Sequence, residues 1–171
     1  MKRRDMTSAW PYRKKRALKR RKAEIIPLHI LERYSAIFNH LTDAVLVSRP
    51  RKKGFPGKYI QVNDEACRMY GFSRKEFTQL TYLNLDANPI TDADYKERKK
   101  RLLSKGYFLF DTTHTTKAGK IIPVEVHMHM ADFGDGPMMI SIVHDITKRR
   151  QTEAALRKSE QKYFDIFESI Q

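Results

Sequence analysis

A chain of 171 residues has room for one domain of ordinary size plus tails, and not for two full domains with generous linkers. Its 40% hydrophobic and 11% aromatic content suffices for a packed interior, which argues against a wholly disordered chain, and its net charge of +14 is unevenly placed. No run of about 18 apolar residues occurs, so no helical membrane span is expected; the one cysteine, Cys67, excludes an internal disulfide and offers no metal-cluster spacing.

Residues 2 to 22 hold eleven Lys and Arg against a single acid, Asp5, a net +10, whereas residues 23 to 171 carry only +4. Such a block stays solvated when it cannot bury enough apolar area to offset the entropy of ordering it. The same density of cations suits nucleic-acid phosphates or an anionic membrane surface, with Arg13, Lys14, Lys15, Arg16, Lys19, Arg20, Arg21 and Lys22 as the candidate polyanion-binding residues. No apolar stretch follows Arg3 and Arg4, so a secretory leader is not expected and a reducing cytoplasm is.

Residues 1 to 28 are therefore read as a basic arm, disordered or helical. After Pro27, LHILERYSAIFNHL places Ile30, Tyr34, Ile37, Phe38 and Leu41 at spacings of three and four, which predicts a short helix. AVLVSR at 44 to 49 and KYIQVN at 58 to 63 read as two strands of a hairpin, joined by a loop rich in Pro and Gly. Asn63 stands where an N-cap belongs for the helix DEACRMY, and Gly71 supplies its left-handed stop. Ser73 and Glu76 are spaced as a capping box for a second short helix. A third is expected at 92 to 105, acidic at its start and basic at its end, with Tyr95, the stem of Lys99, Leu102 and Leu103 as its buried stripe and Gly106 as its stop.

From 107 the pattern turns to strands. YFLFDTTHTT and KIIPVEVHMHMAD are separated by the turn residues KAGK, and FGDGP precedes MMISIVHDIT. Two strands, three short helices and three more antiparallel strands make an α+β layout in which the helices cover one sheet face. Beyond Thr147 more than twenty residues pass without Gly or Pro, which predicts one long helix. Its end, QKYFDIFESI, matches RYSAIFNHLT near the start at an offset of 129, aligning Tyr163 with Tyr34, Ile166 with Ile37, Phe167 with Phe38 and Ile170 with Leu41.

Three fragments in this order resemble the PAS sensory domains, including the S-box type common in bacterial signalling proteins, over about residues 31 to 171. NDEACRMYGFSRKEF looks like the family's Asn-x-x-Ala helix followed by Gly and an aromatic. THTTKAGKIIPVEV is similar to its strand pair, with Ala118 where the turn usually carries Asp. IVHDITKRRQTEAALRKSEQKYFDIF is similar to its Asp-Ile-Thr terminus and the helix leading to a following unit. The resemblance implies a PAS domain at 29 to 147, a five-stranded antiparallel sheet with short helices on one face, and a signalling helix at 148 to 171. The tail at 161 to 171 is then either the entry helix of a further unit or a free packing surface.

The resemblance also implies a mechanism: a cavity between sheet and helices senses a small molecule or partner, and the change passes through Asp145 and Thr147 to the last helix. Thr147 is expected to cap that helix and Asp145 to anchor the strand end. Asn63, Met69, Tyr70, Phe108, Phe110, Val126, Met128 and Ile142 are the candidate cavity or core residues. Haem and flavin are not supported. The family's haem-binding members take a histidine from the third helix, where DADYKERKKRLLSK has none, and Cys67 in EACRMY lacks the flavin-reactive context. His127, His129 and Glu125 share a strand face, an ordinary surface alternation rather than a metal site. No nucleophile with a base, no paired carboxylates and no phosphate-cradling glycine loop stands out, so no catalysis is expected. Leu156, Tyr163 and Ile170 recur every seven residues, a short coiled-coil seam for a homodimer or a signalling partner. The reading is a cytoplasmic, non-catalytic sensor of the two-component kind. The alternatives are a nucleic-acid or anionic-surface binder using the arm, and the input section of a sensor kinase or nucleotide cyclase.

Overall fold

The computed structural model describes residues 26–50, 57–88, 91–132, 134 and 136–168, and of residues 92, 95, 99 and 103 the backbone alone. Residues 1–25 of the basic arm, with all eight candidate polyanion-binding residues, lie outside the described residues, as does Ile170. Helix α1 (Leu28–His40) leads into strands β1 (Ala44–Ser48) and β2 (Tyr59–Val62), then helices α2 (Asp64–Tyr70), α3 (Arg74–Phe77), α4 (Tyr82–Leu85) and α5 (Asp92–Lys105). Strands β3 (Tyr107–Thr115), β4 (Ile121–Asp132) and β5 (Pro137–Asp145) follow, and α6 (Thr147–Glu168) ends the fold. The strands form one antiparallel sheet in the order β2-β1-β5-β4-β3.

Alternation along the strands decides which side chains meet the helices. Ile122, Val124, Val126 and Met130 of β4 are buried on the inner face, with Leu46 of β1 and Met139 and Val143 of β5. They pack with Ala66 and Tyr70 of α2, Phe77 of α3, Leu85 of α4 and Leu102 of α5. Phe77 is met edge-on by Tyr59, Tyr70 and Phe72 at centroid distances of 5.8, 6.0 and 5.7 Å, a geometry that favours aromatic quadrupoles. Of the α5 stripe, Leu102 is buried and the other three side chains lie outside the described residues.

Local chemistry sets the helix ends. Gly71 and Gly106 take φ of 76° and 78°, where a Cβ is strained, and so terminate α2 and α5. The Ser73–Glu76 box starts α3, and Lys117 of the β3–β4 turn reaches Glu76 at 2.6 Å. These bonds, Lys117 first and then Ser73, hold the Glu76 carboxyl down to about 2. Helix α4 was not foreseen. Its single turn is set by Thr81, whose amide and hydroxyl both donate to Asn84 Oδ1 at 2.8 and 3.1 Å. Of the five periodic apolar residues around α1, only Phe38 is buried; Tyr34, stacked on it at 5.8 Å, is exposed with Ile30, Ile37 and Leu41.

Asn63 ties the two halves together. Fully buried, it accepts from the amides of Ala66 and Val45 and donates to the Asp43 carbonyl, each at 2.9 Å. One side chain thereby caps α2 and fixes the entry of β1. Asn63→Ala strips two buried amides and a carbonyl of their partner, and is expected to cost about 3 kcal/mol in urea denaturation; a loss below about 1 kcal/mol contradicts this role.

Candidate functional site

Inner-face side chains do not fill the space under α5 completely. An apolar cavity of about 50 Å³ remains, lined from the sheet by Leu46, Phe108, Phe110, Val126, Met128 and Val143, with Leu102 above. Its polar wall is Asp86, Arg98, His114 and Ser141, with the rings of Tyr59 and Tyr82 at its side. Helix α5 is held over this space partly by its arginines: the Arg98 guanidinium lies 4.3 Å from the centroid of Phe110 and that of Arg101 5.7 Å from Phe108. Arg98 also faces Asp86 at 3.7 Å, and Asp86 accepts from the Asn88 amide at 3.1 Å and the Thr112 hydroxyl at 3.3 Å. His114 is buried, with Nδ1 2.6 Å from the Tyr70 hydroxyl. Burial, with Arg98 adding, lowers the His114 imidazole to about 4, and burial raises the Tyr70 phenol well above its ordinary value.

The structure brings Phe108, Phe110, Val126 and Met128 together at this cavity, with Tyr70 behind it through His114. Asn63 lies apart as the α2 cap, and Met69 packs half-buried against the core. Ile142 is corrected: it pairs with Val45 and His127, one residue out of phase with Ser141 and Val143, and so faces the opposite side of the sheet, half-buried. Arg98, Asp86, His114 and Ser141 were missed. His114 was within reach of strand parity, being in phase with Phe108 and Phe110; Arg98 depends on where α5 docks, which no local pattern encodes.

A second cluster lies at the start of α6. The Ile146 amide donates to the Pro123 carbonyl at 3.1 Å, and the Thr147 amide to Asp145 Oδ1 at 2.8 Å. The cap is therefore supplied by Asp145, correcting the assignment to Thr147, whose buried hydroxyl has no partner among the described residues. Arg149 reaches Glu125 at 3.4 Å and Arg150 reaches Asp111 at 3.2 Å, while His144 sits 2.6 Å from Asp43. His127, 3.3 Å away, chiefly holds the Glu125 carboxyl below its usual range, and Arg149 adds to this. In register, Phe110 pairs with Val126 and Val126 with Val143; in the next row Asp111 pairs with Glu125 and Glu125 with His144. A cavity row and a helix-clamp row are adjacent rungs of the same three strands. No group of three or more His, Cys, Asp or Glu side chains converges on a metal position among the described residues.

A family model described as "PAS domain" matches residues 43–148. The chain is 28% identical over 129 residues to a methyl sulfide methyltransferase-associated sensor of Methanosarcina acetivorans, a match covering 73% of this chain and only 12% of that protein. The PAS domain of a Colwellia psychrerythraea protein superposes with a TM-score of 0.60 at 21% identity, covering 70% of this chain and 98% of that one. A domain of a sensory box sensor histidine kinase/response regulator from Geobacter sulfurreducens gives 0.53 at 24% identity, covering 68% and 94%.

The buried imidazole gives a signed pH dependence. Between the ordinary value of 6.5 and the folded value of about 4, the unfolded chain binds a proton at His114 that the folded chain refuses, so stability falls as pH falls through that window. The loss reaches about 3 kcal/mol at its limit. Urea denaturation of the wild type and of His114→Phe at several pH values is expected to show this slope in the first alone; parallel curves contradict it.

Proposed function

The chain belongs to the PAS domain family, and from that premise we propose that it is a non-catalytic sensor module whose cavity state is relayed to α6 through adjacent rungs of the sheet. The observation that carries this reading is the register of β3, β4 and β5. Phe110 and Val126 face the cavity, while their chain neighbours Asp111 and Glu125 face the other way and hold Arg150 and Arg149. Filling or emptying the cavity moves the first row, and the backbone shared with the second row moves the clamp.

The clamp suits a switch because it is weak. Its ion pairs are solvent-screened and individually weak, so a small differential in ligand affinity redistributes the seating of α6. No apolar residue of the helix is buried: Leu156, Tyr163, Phe164, Ile166 and Phe167 are all exposed. On these residues, and separately on the exposed stripe of α1, we place a homodimer or a downstream signalling protein in the cytoplasm, as in two-component systems.

Removing both acids, Asp111→Ala with Glu125→Ala, is expected to speed amide hydrogen exchange at residues 151 to 157 about fivefold or more while β4 and β5 keep their protection. Unchanged exchange in that segment contradicts the clamp.

A further inference from the structure

The cavity also carries information about what it accepts, and this rests on the sensor reading above. Three observations constrain the occupant. The first is size: about 50 Å³ holds on the order of three to five non-hydrogen atoms. The second is charge. Asp86 and Arg98 face each other in the same wall, Asp86 is further bonded by Thr112 and Asn88, and Arg98 is stacked on Phe110. His114 is uncharged at neutral pH because burial lowers it to about 4. Among the described residues the charges of the wall are thus balanced, and an ion entering it adds an uncompensated charge to an apolar space. The third is polarity. Ser141 is 8% exposed and lines the cavity in phase with Val143, so its hydroxyl is an uncharged polar group offered to an occupant. A hydroxyl that faces an apolar space gains a bond when an occupant supplies the partner.

We propose that the cavity binds a small uncharged molecule, a short apolar chain ending in one hydrogen-bonding group, and that Ser141 supplies the bond to that group. The apolar chain lies against Val126, Met128 and Phe110. Short primary alcohols represent this class, and selection against carboxylates and amines of the same length follows from the balanced wall.

The test uses the full chain and three probes of one chain length, n-propanol, propionate and n-propylammonium, followed by carbon–proton methyl NMR. The expected result is saturable shifts of the methyls of Leu46, Val126, Met128 and Val143 with n-propanol and none with either ion at equal concentration. Ser141→Ala is expected to weaken n-propanol about fivefold. Xenon, which needs no hydrogen bond, serves as the control that the variant keeps its fold and its cavity, and its binding is expected to survive. The proposal is overturned if either ion binds as well as n-propanol, if n-propanol gives no methyl shifts below the concentration that unfolds the protein, or if Ser141→Ala leaves n-propanol affinity unchanged. The two readings separate cleanly. Binding as expected with no change in α6 amide exchange keeps the ligand class and defeats the sensor; a charged or larger molecule that fills the cavity and shifts α6 defeats the class and keeps the sensor.

Discussion

Successive residues of a strand point to opposite faces of a sheet, and the organisation of this protein follows from that constraint. Strand β4 puts Val126 and Met128 under the helices and Glu125 and His127 on the other side. The cavity and the seat of the exit helix are therefore not two distant sites needing a wire between them. They are the two faces of adjacent rungs, and the proposed relay runs through the backbone of β3 and β4 that both share. A one-residue slip in β4 would exchange the two sets and abolish core, cavity and clamp together.

The two faces differ in how firmly they are built. On the inner face, side chains such as Tyr70, Phe77 and Leu85 are sealed, and Asn63 locks β1 to α2 with three hydrogen bonds, two of them buried. These contacts hold one arrangement. The outer end of the sheet depends on exposed ion pairs, each individually weak, and on the short bonds around Ile146 and Asp145. Rigid scaffold and loosely held exit helix are the two properties that a relay needs, because a ligand of modest affinity can bias only an equilibrium that is already close to balance.

Much of this was legible from the residues, and what was not has a physical pattern. The strands were readable because period two is local, and the starts of α2 and α3 because Asn63 and the Ser73–Glu76 pair act within three residues. Helix α4 was overlooked because Thr81 with Asn84 is a less familiar pair than Ser with Glu, though it works by the same reciprocal bonds. Ile142 was placed on the wrong face although parity with Ser141 and Val143 settles it. Phe108, Phe110, Val126 and Met128 were cavity or core candidates and line the cavity, whereas Arg98 and Asp86 were not candidates, since their meeting beside Phe110 is created by the docking of a charged helix. The clamp was invisible for the same reason: Arg149 and Arg150 look like ordinary solvated cations until the sheet register brings Glu125 and Asp111 beside them.

The coupling of the two rungs is most directly measured by filling the cavity from within. Val126→Phe occupies the space without touching any charged group of the clamp, and amide hydrogen exchange then reports on residues 147 to 157. Coupled rungs predict a change in exchange there of about threefold or more with the amides of α2, on the other side of the core, unaltered. Exchange in the first turns of α6 that stays at its wild-type value while the cavity is full contradicts the account.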